Sequence, residues 1–273
     1  MISASHVGKS ERRDDVAWPL LAKGLAATLN VPCPADGRWP PLWHWLLFQE
    51  WVPAGALGAD GHAVRGGFLP AEPTLPRRMW AGGRLQMHHA LHTGAAVWRD
   101  SRIVRVQEKS GATGRLLFVT VHHAIADERG VAISEEQDLV FLGARAGSAA
   151  APAEPLAAAV RRAVPIDSTL LFRYSALTGN AHRIHYDRDY AAEEGYPSLV
   201  VHGPLQATLL AGLAAELRPG RMLVQFAFRA RRAALLHRCP LTLEAWDDGA
   251  RLQLRTVDGE DAICTTAEAS FAP

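Results

Sequence analysis

At 273 residues, with 48% apolar and 21% charged side chains, the chain has the balance of a globular protein with a substantial core, and length enough for two ordinary domains. Lys and Arg number 29 against 28 Asp and Glu, so no net field recruits nucleic acid or an anionic membrane, and a charged substrate must be met by local groups. Three cysteines, Cys33, Cys239 and Cys264, without CxxC spacing argue against a disulfide framework and a structural zinc site.

Residues 1–15 carry Lys9, Glu11, Arg12, Arg13, Asp14 and Asp15 where a secretory signal would need an apolar run, and no apolar run approaches the roughly 20 residues that cross a bilayer, so a cytoplasmic protein is expected. Pro40 to Trp51 packs Trp43, Trp45, Trp51 and Phe48 into twelve residues and predicts a short helix or buried turn. Trp80–His89, Val97–Lys109, Arg115–Ile125 and Val131–Leu142 read as an antiparallel meander punctuated by glycines. An Ala-, Gly- and Pro-rich stretch, 143–165, reads as a connector broken by Pro152, Pro155 and Pro165. Beyond it come a short strand, Thr169–Tyr174, and a polar loop, Ser175–Asp187. A helix follows over Pro204–Leu217, where Leu205, Leu209, Leu213 and Leu217 recur at intervals of four, with Leu210 beside them. Four strands close the chain: Met222–Ala230, Pro240–Trp246, Arg251–Val257 and Ala262–Phe271. The strand runs on either side of the connector match, although no repeat is visible as sequence identity. The expected units are residues 1–145, a linker over 146–165, and a catalytic unit over 166–273.

The chemistry concentrates in two short segments. The first is Tyr174-Ser-Ala-Leu-Thr-Gly-Asn-Ala-His-Arg-Ile-His185 with Tyr186-Asp187; the second is Val201-His202-Gly203-Pro204 at the start of the helix. Ser175, Thr178, Gly179, His185, His202 and Gly203 resemble, in order and spacing, the MaoC-like thioester hydratases and dehydratases. The fuller wording, with PPLWHW, GGFLP and RRMWAGG upstream, is similar to the branch holding type 2 hydroxyacyl-thioester dehydratases and itaconyl- and mesaconyl-CoA hydratases. The resemblance covers roughly residues 40–273. It implies an α+β tandem double hot-dog, antiparallel sheets wrapped around a central helix, with a degenerate first unit. It also implies a homodimer acting on an acyl-CoA and needing no cofactor beyond the coenzyme A of its substrate.

Adding water to an α,β-unsaturated thioester requires a base for the water, a proton for the α carbon, and donors for the enolate oxygen. His185 is the natural base, because imidazole titrates near neutrality. Gly203, just ahead of Pro204, lets a thioester carbonyl approach the amides at a helix N-terminus, a donor set worth about 3–4 kcal/mol of barrier. Asn180 stands where the family pattern has Asp. It cannot act as a base, so it is expected to hold the water while His185 moves the proton. Ser175 and His202, both in the motif, are expected at the substrate. Arg183, with Arg173, is expected to anchor a free carboxylate on a small branched acyl group such as itaconyl or mesaconyl. Plainer roles stand beside these: a turn for Asn180, a solvated surface for Arg183, core packing for the tryptophans, and either an imidazole or a helix cap as the partner of Asp187. His182 with His185, and His88, His89 and His92, invite a metal, but no carboxylate or Cys completes either set, so no metal is expected. A carrier-protein dehydratase and a silent acyl-thioester-binding subunit are the alternative functions.

Overall fold

The computed structural model describes residues 6–111, 114–143, 160–249 and 251–273. Its strands are β1 (Ser10–Val16), β2 (Arg77–Met87), β3 (Ala96–Gly111), β4 (Gly114–Asp127), β5 (Gly130–Leu142), β6 (Val160–Val164), β7 (Leu223–Ala230), β8 (Leu241–Asp247), β9 (Leu252–Val257) and β10 (Ile263–Phe271). They form one sheet in the order β1-β3-β4-β5-β2-β7-β10-β9-β8-β6, with antiparallel neighbours throughout.

That order contains the duplication that sequence identity hides. The first five strands run 1-3-4-5-2 from the outer edge to the middle. The last five, counted from the other edge, run 6-8-9-10-7, which is the same order shifted by five. The two units meet where β2 pairs with β7, from Gly82 opposite Arg229 to Gln86 opposite Gln225. At Gly82 any side chain would collide with the carbonyl of Phe228, so the WAGG wording is the price of joining two sheets into one. The pairing of two hot-dog units is therefore complete within a single chain.

Among the described residues four helices lie between the strands: α1 (Pro19–Leu29), α2 (Ser168–Thr178), α3 (Arg188–Glu193) and α4 (Gly203–Leu217). In α4 the burial is broader than the leucine stripe suggests. Leu205, Leu210 and Leu213 are buried, and so are Ala207, Ala211 and Ala214, whose small side chains let the helix settle closely on the sheet. Each leucine removed from water there contributes about 1.5–3 kcal/mol. Gln206 is buried on the same helix, and its Oε1 accepts from Thr256 on β9 (2.7 Å) and Thr265 on β10 (3.0 Å), which fixes the helix's rotation over the second unit. In the first unit the stretch between β1 and β2 holds α1 and two 3-10 turns, Trp43–Leu46 and Ala54–Ala56, with no long central helix. No helix among the described residues is long and apolar enough to cross a membrane.

Two expectations are corrected. Thr169–Tyr174 is not a strand: it belongs to α2, whose N-terminus is capped by the Asp167 carboxylate accepting from Leu170 N (2.7 Å) and whose C-terminus is Gly179. Its buried residues, Leu171, Tyr174 and Ser175, fall at spacings of three and four, where a strand would alternate. The end of the expected linker is also structured. Val160–Val164 forms β6, the edge strand paired with β8, while 144–159 lie outside the described residues. The aromatic cluster divides: Trp43 is core, Trp45 packs edge-on against Trp80 (4.9 Å) and Phe228 (5.7 Å), and Trp51 is 78% exposed.

Candidate active site

α2 and α4 carry the two motif segments, and packing brings them together. Ser175, in the last turn of α2, shares a hydrogen bond of 2.8 Å with Nε2 of His202, the residue capping α4. After α2 ends, the chain makes a tight turn in which Asn180 Oδ1 accepts from the backbone N–H of His182 (3.0 Å). A short 3-10 turn, Arg183–His185, then delivers His185 onto His202. The two imidazoles stack, 3.6 Å between centroids and 20° between planes.

His185 is 7% exposed and His202 fully buried. Nδ1 of His185 donates to the carbonyl of Val200 at 2.7 Å, so the neutral ring carries its proton there and leaves Nε2 as a lone pair. Burial pushes its pKa down to about 4, which keeps the ring neutral at physiological pH. Gly203 is the first residue of α4, beside His202, and a Cβ built on it would meet nothing within 4 Å. Free space therefore lies in front of the amides of the helix N-terminus, next to a neutral imidazole with an unprotonated nitrogen. Such a pair can accept a proton and stabilise an oxyanion at adjacent atoms. Nδ1 of His202 is buried without a partner among the described residues.

The remaining candidates separate. His185, Asn180, Gly203, Ser175 and His202 converge on one place. Asn180 keeps its turn role, and since that uses only Oδ1, its amide N–H groups remain able to donate to a water. Arg183 does not face an acyl group. Its Nε and Nη2 bind Asp187 Oδ2 (3.0 and 2.6 Å), its Nη1 donates to the carbonyl of Ala59 (3.1 Å), and its guanidinium lies 4.4 Å over the ring of Tyr190. The structure therefore pairs Arg183 with Asp187 and Ala59 and does not bring it to the stacked imidazoles. Arg173 is not brought there either: it stands exposed on α2, one position from buried Tyr174. Asp187 holds Arg183 and caps α3 through Tyr190 N (3.0 Å), so of its two suggested roles the cap is the real one.

One group of site residues had no local signal. The segment around Asp60 and His62, from the first unit, docks on the catalytic loop through Arg183 N to Asp60 O (2.9 Å). Gly61, at φ 88°, sits so close to Ala181 that any side chain would strike its carbonyl. The docking sets the ring of His62 4.6 Å from His182, and His182 in turn 5.6 Å from His185. It also supplies the carboxylate that the histidine spacing lacked. Asp60, His62 and His182 place ligand atoms within 4.8 Å of one another and could hold a metal. Asp60 already binds His62 Nδ1 (3.3 Å) and Arg65 (3.4 Å), while His182 meets the pair only through its ring contact with His62.

Burial also depresses other imidazoles: His123 to about 4, His182 to about 3, with His62 and His185 adding to the effect, and His202 well below the ordinary value. An unfolded chain protonates its histidines near 6.5, so between about pH 6.5 and 4 the unfolded state binds more protons and stability falls as pH falls. The melting temperature is expected to drop by about 10 °C between pH 7 and pH 4.5 in a calorimetric series. A melting temperature constant across that range would mean these rings are not buried neutral.

A groove of about 340 Å³ lies elsewhere, at the seam of the two units, walled by Arg84, Glu136, Gln225, Arg251 and Glu268. Its lining includes His122 but none of Ser175, Asn180, His185, His202 and Gly203, and no helix N-terminus among the described residues opens onto it.

Comparison with known proteins shows the family and the fold. Residues 42–236 match the family model described as hydroxyacyl-thioester dehydratase type 2. The chain is 45% identical over 274 residues to a mesaconyl-C(4)-CoA hydratase of Chloroflexus aurantiacus, covering 96% of each. Among solved structures, a MaoC-like dehydratase from Phytophthora capsici superposes with a TM-score of 0.74 at 13% identity, over 97% of this chain and 95% of that one. A Mycobacterium tuberculosis protein described as having a double hotdog fold gives 0.58 at 14% identity, over 97% and 96%.

Proposed function

The chain belongs to the type 2 hydroxyacyl-thioester dehydratase family and is a double hot-dog hydro-lyase, and on that premise we propose that it hydrates a small dicarboxylic enoyl-CoA, mesaconyl-CoA first, to citramalyl-CoA. What carries the reading is the stack of His185 on His202 at the open N-terminus of α4.

In this reading the thioester carbonyl lies against the amides ahead of Pro204, and Asn180 donates to the attacking water. His185 Nε2 takes a proton from that water as its oxygen bonds to the β carbon. The electron pair of the double bond moves through the α carbon onto the carbonyl oxygen, where the helix amides hold the enolate. The enolate collapses by taking the proton back from His185 at the α carbon. Asn at 180 puts no carboxylate at that position, and Asp187 is held by Arg183, so one imidazole acts in both directions. The reverse sequence dehydrates the hydroxyacyl ester through the same groups.

The reading uses the second unit, from β6 onward, as the catalytic half and the first as its support, with the pantetheine arm between them and no cofactor beyond coenzyme A. A homodimer in the cytoplasm completes it. The test is a panel of mesaconyl-, itaconyl- and crotonyl-CoA, with a carrier-protein-bound enoyl group, followed by loss of conjugated-thioester absorbance. Turnover of mesaconyl-CoA above the others is expected. Turnover only on the carrier protein would favour a dehydratase of carrier-bound hydroxyacyl groups.

A further inference from the structure

A dicarboxylic acyl group brings a free carboxylate into the site, and Arg183 and Arg173 are not available to it. A third guanidinium is. Arg77 and Arg78 are neighbours on β2 and so point to opposite sides of the strand. Arg77 is fully engaged: its Nε meets Glu194 Oε2 at 2.5 Å and its Nη2 donates to the hydroxyl of Tyr196 at 2.7 Å. Arg78 is half-buried and makes no hydrogen bond or ion pair with any of the described residues. Its side-chain nitrogens also do not figure among the fully enclosed unpartnered atoms, so they reach open space. Asp60 and Glu50 lie within electrostatic range of this guanidinium without bonding to it, so its donors remain open to an anion from outside.

The direction of Arg78 follows from its strand. Trp80, two residues on and on the same side, packs against Trp45 and Phe228 in the space between the units. Arg78 is also near enough to His62 and His182 for its charge to add to burial in lowering both imidazoles. The four rings His202, His185, His182 and His62 form a row that starts at the N-terminus of α4 and ends beside Arg78. In mesaconyl-C(4)-CoA the free carboxylate is bonded to the β carbon, so with that carbon at His185 it would lie on the His182 side of the ring, and the long Arg78 side chain would have to reach inward past His62 to meet it. Nearby Arg65 adds positive charge, but its own donors are committed to Asp60 and to the carbonyls of Leu75 and Pro76.

Resting on the hydratase reading, we propose that Arg78 binds the free carboxylate of a dicarboxylic enoyl-CoA, at the opposite end of the acyl group from the α4 amides. The first unit, catalytically degenerate in its motif, would thereby supply the specificity of the site.

The experiment compares mesaconyl-C(4)-CoA with its methyl ester, which has the same skeleton and no charge. The ratio of kcat/KM for acid over ester does not depend on how much of a variant folds. Wild type is expected to prefer the acid by about 100-fold, since losing one partner of a desolvated charge pair has effects of that order. Arg78→Gln is expected to bring the ratio below about fivefold, with Arg78→Lys between the two because it restores charge without the planar fork. An acid preference that survives in Arg78→Gln, or no preference in wild type, would overturn the assignment while leaving hydration intact. Absence of hydration on every enoyl-CoA by wild type would instead bring down the activity reading itself.

Discussion

Replacing His185 with Gln is expected to lower kcat for enoyl-CoA hydration by about 10³-fold, the contribution of a positioned general base. Gln retains an amide that can donate to the carbonyl of Val200, so the loop keeps a bond equivalent to the present 2.7 Å contact, but it has no lone pair able to carry the water's proton. The loss should appear in kcat more than in KM, because the base acts on the transition state and not on the bound thioester. Circular dichroism should show an unchanged fold. A variant with activity within tenfold of wild type would assign the proton transfer to another group, with His182 and His202 the only imidazoles in ring contact with His185 among the described residues.

Gly203→Val makes the complementary case, because it separates the fold from the chemistry. Nothing lies within 4 Å of a Cβ at this position and its φ is outside the left-handed range, so a side chain has room, at the modest cost of a Cβ directly before Pro204. The space it fills is where the thioester carbonyl must approach the helix amides. Displacing that oxygen by about 1 Å removes the oxyanion donors, and kcat/KM is expected to fall about 100-fold while the melting temperature falls by only a few degrees. Gly203→Ala should fall between. If Val at this position leaves activity intact, the carbonyl is not held there.

The sequence made the strands legible because β2–β5 and β7–β10 are apolar, alternating and separated by turn residues. The edge strands β1 and β6 were hidden for the opposite reason: SERRDDV and VRRAV are largely charged and bury little, as edges must. α2 was misread because TLLFRY looks like a short apolar strand when taken alone, yet Asp167 before it and Gly179 after it are helix boundaries. At the candidate site, the motif singled out Ser175, Asn180, His185, His202 and Gly203, which the fold brings together from two short segments. For Arg183 a sequence shows a guanidinium without showing that Asp187, four residues on, pairs with it. Asp60 and His62 lie far upstream, and their segment meets the catalytic loop only in the folded chain, through Gly61 against Ala181 and the bonds of Arg183 to Asp60 and Ala59; Arg78 arrives separately, on β2.

The arrangement as a whole depends on one placement, the acyl group lying between α4 and His185. A crystal structure with the saturated, unreactive analogue methylsuccinyl-CoA tests it directly. The thioester oxygen is predicted to sit about 3 Å from the backbone nitrogen of Gly203 or its neighbours, with the β carbon beside His185 Nε2. An acyl group found in the outer groove walled by Arg84 and Glu268, with the helix end unoccupied, would contradict the account.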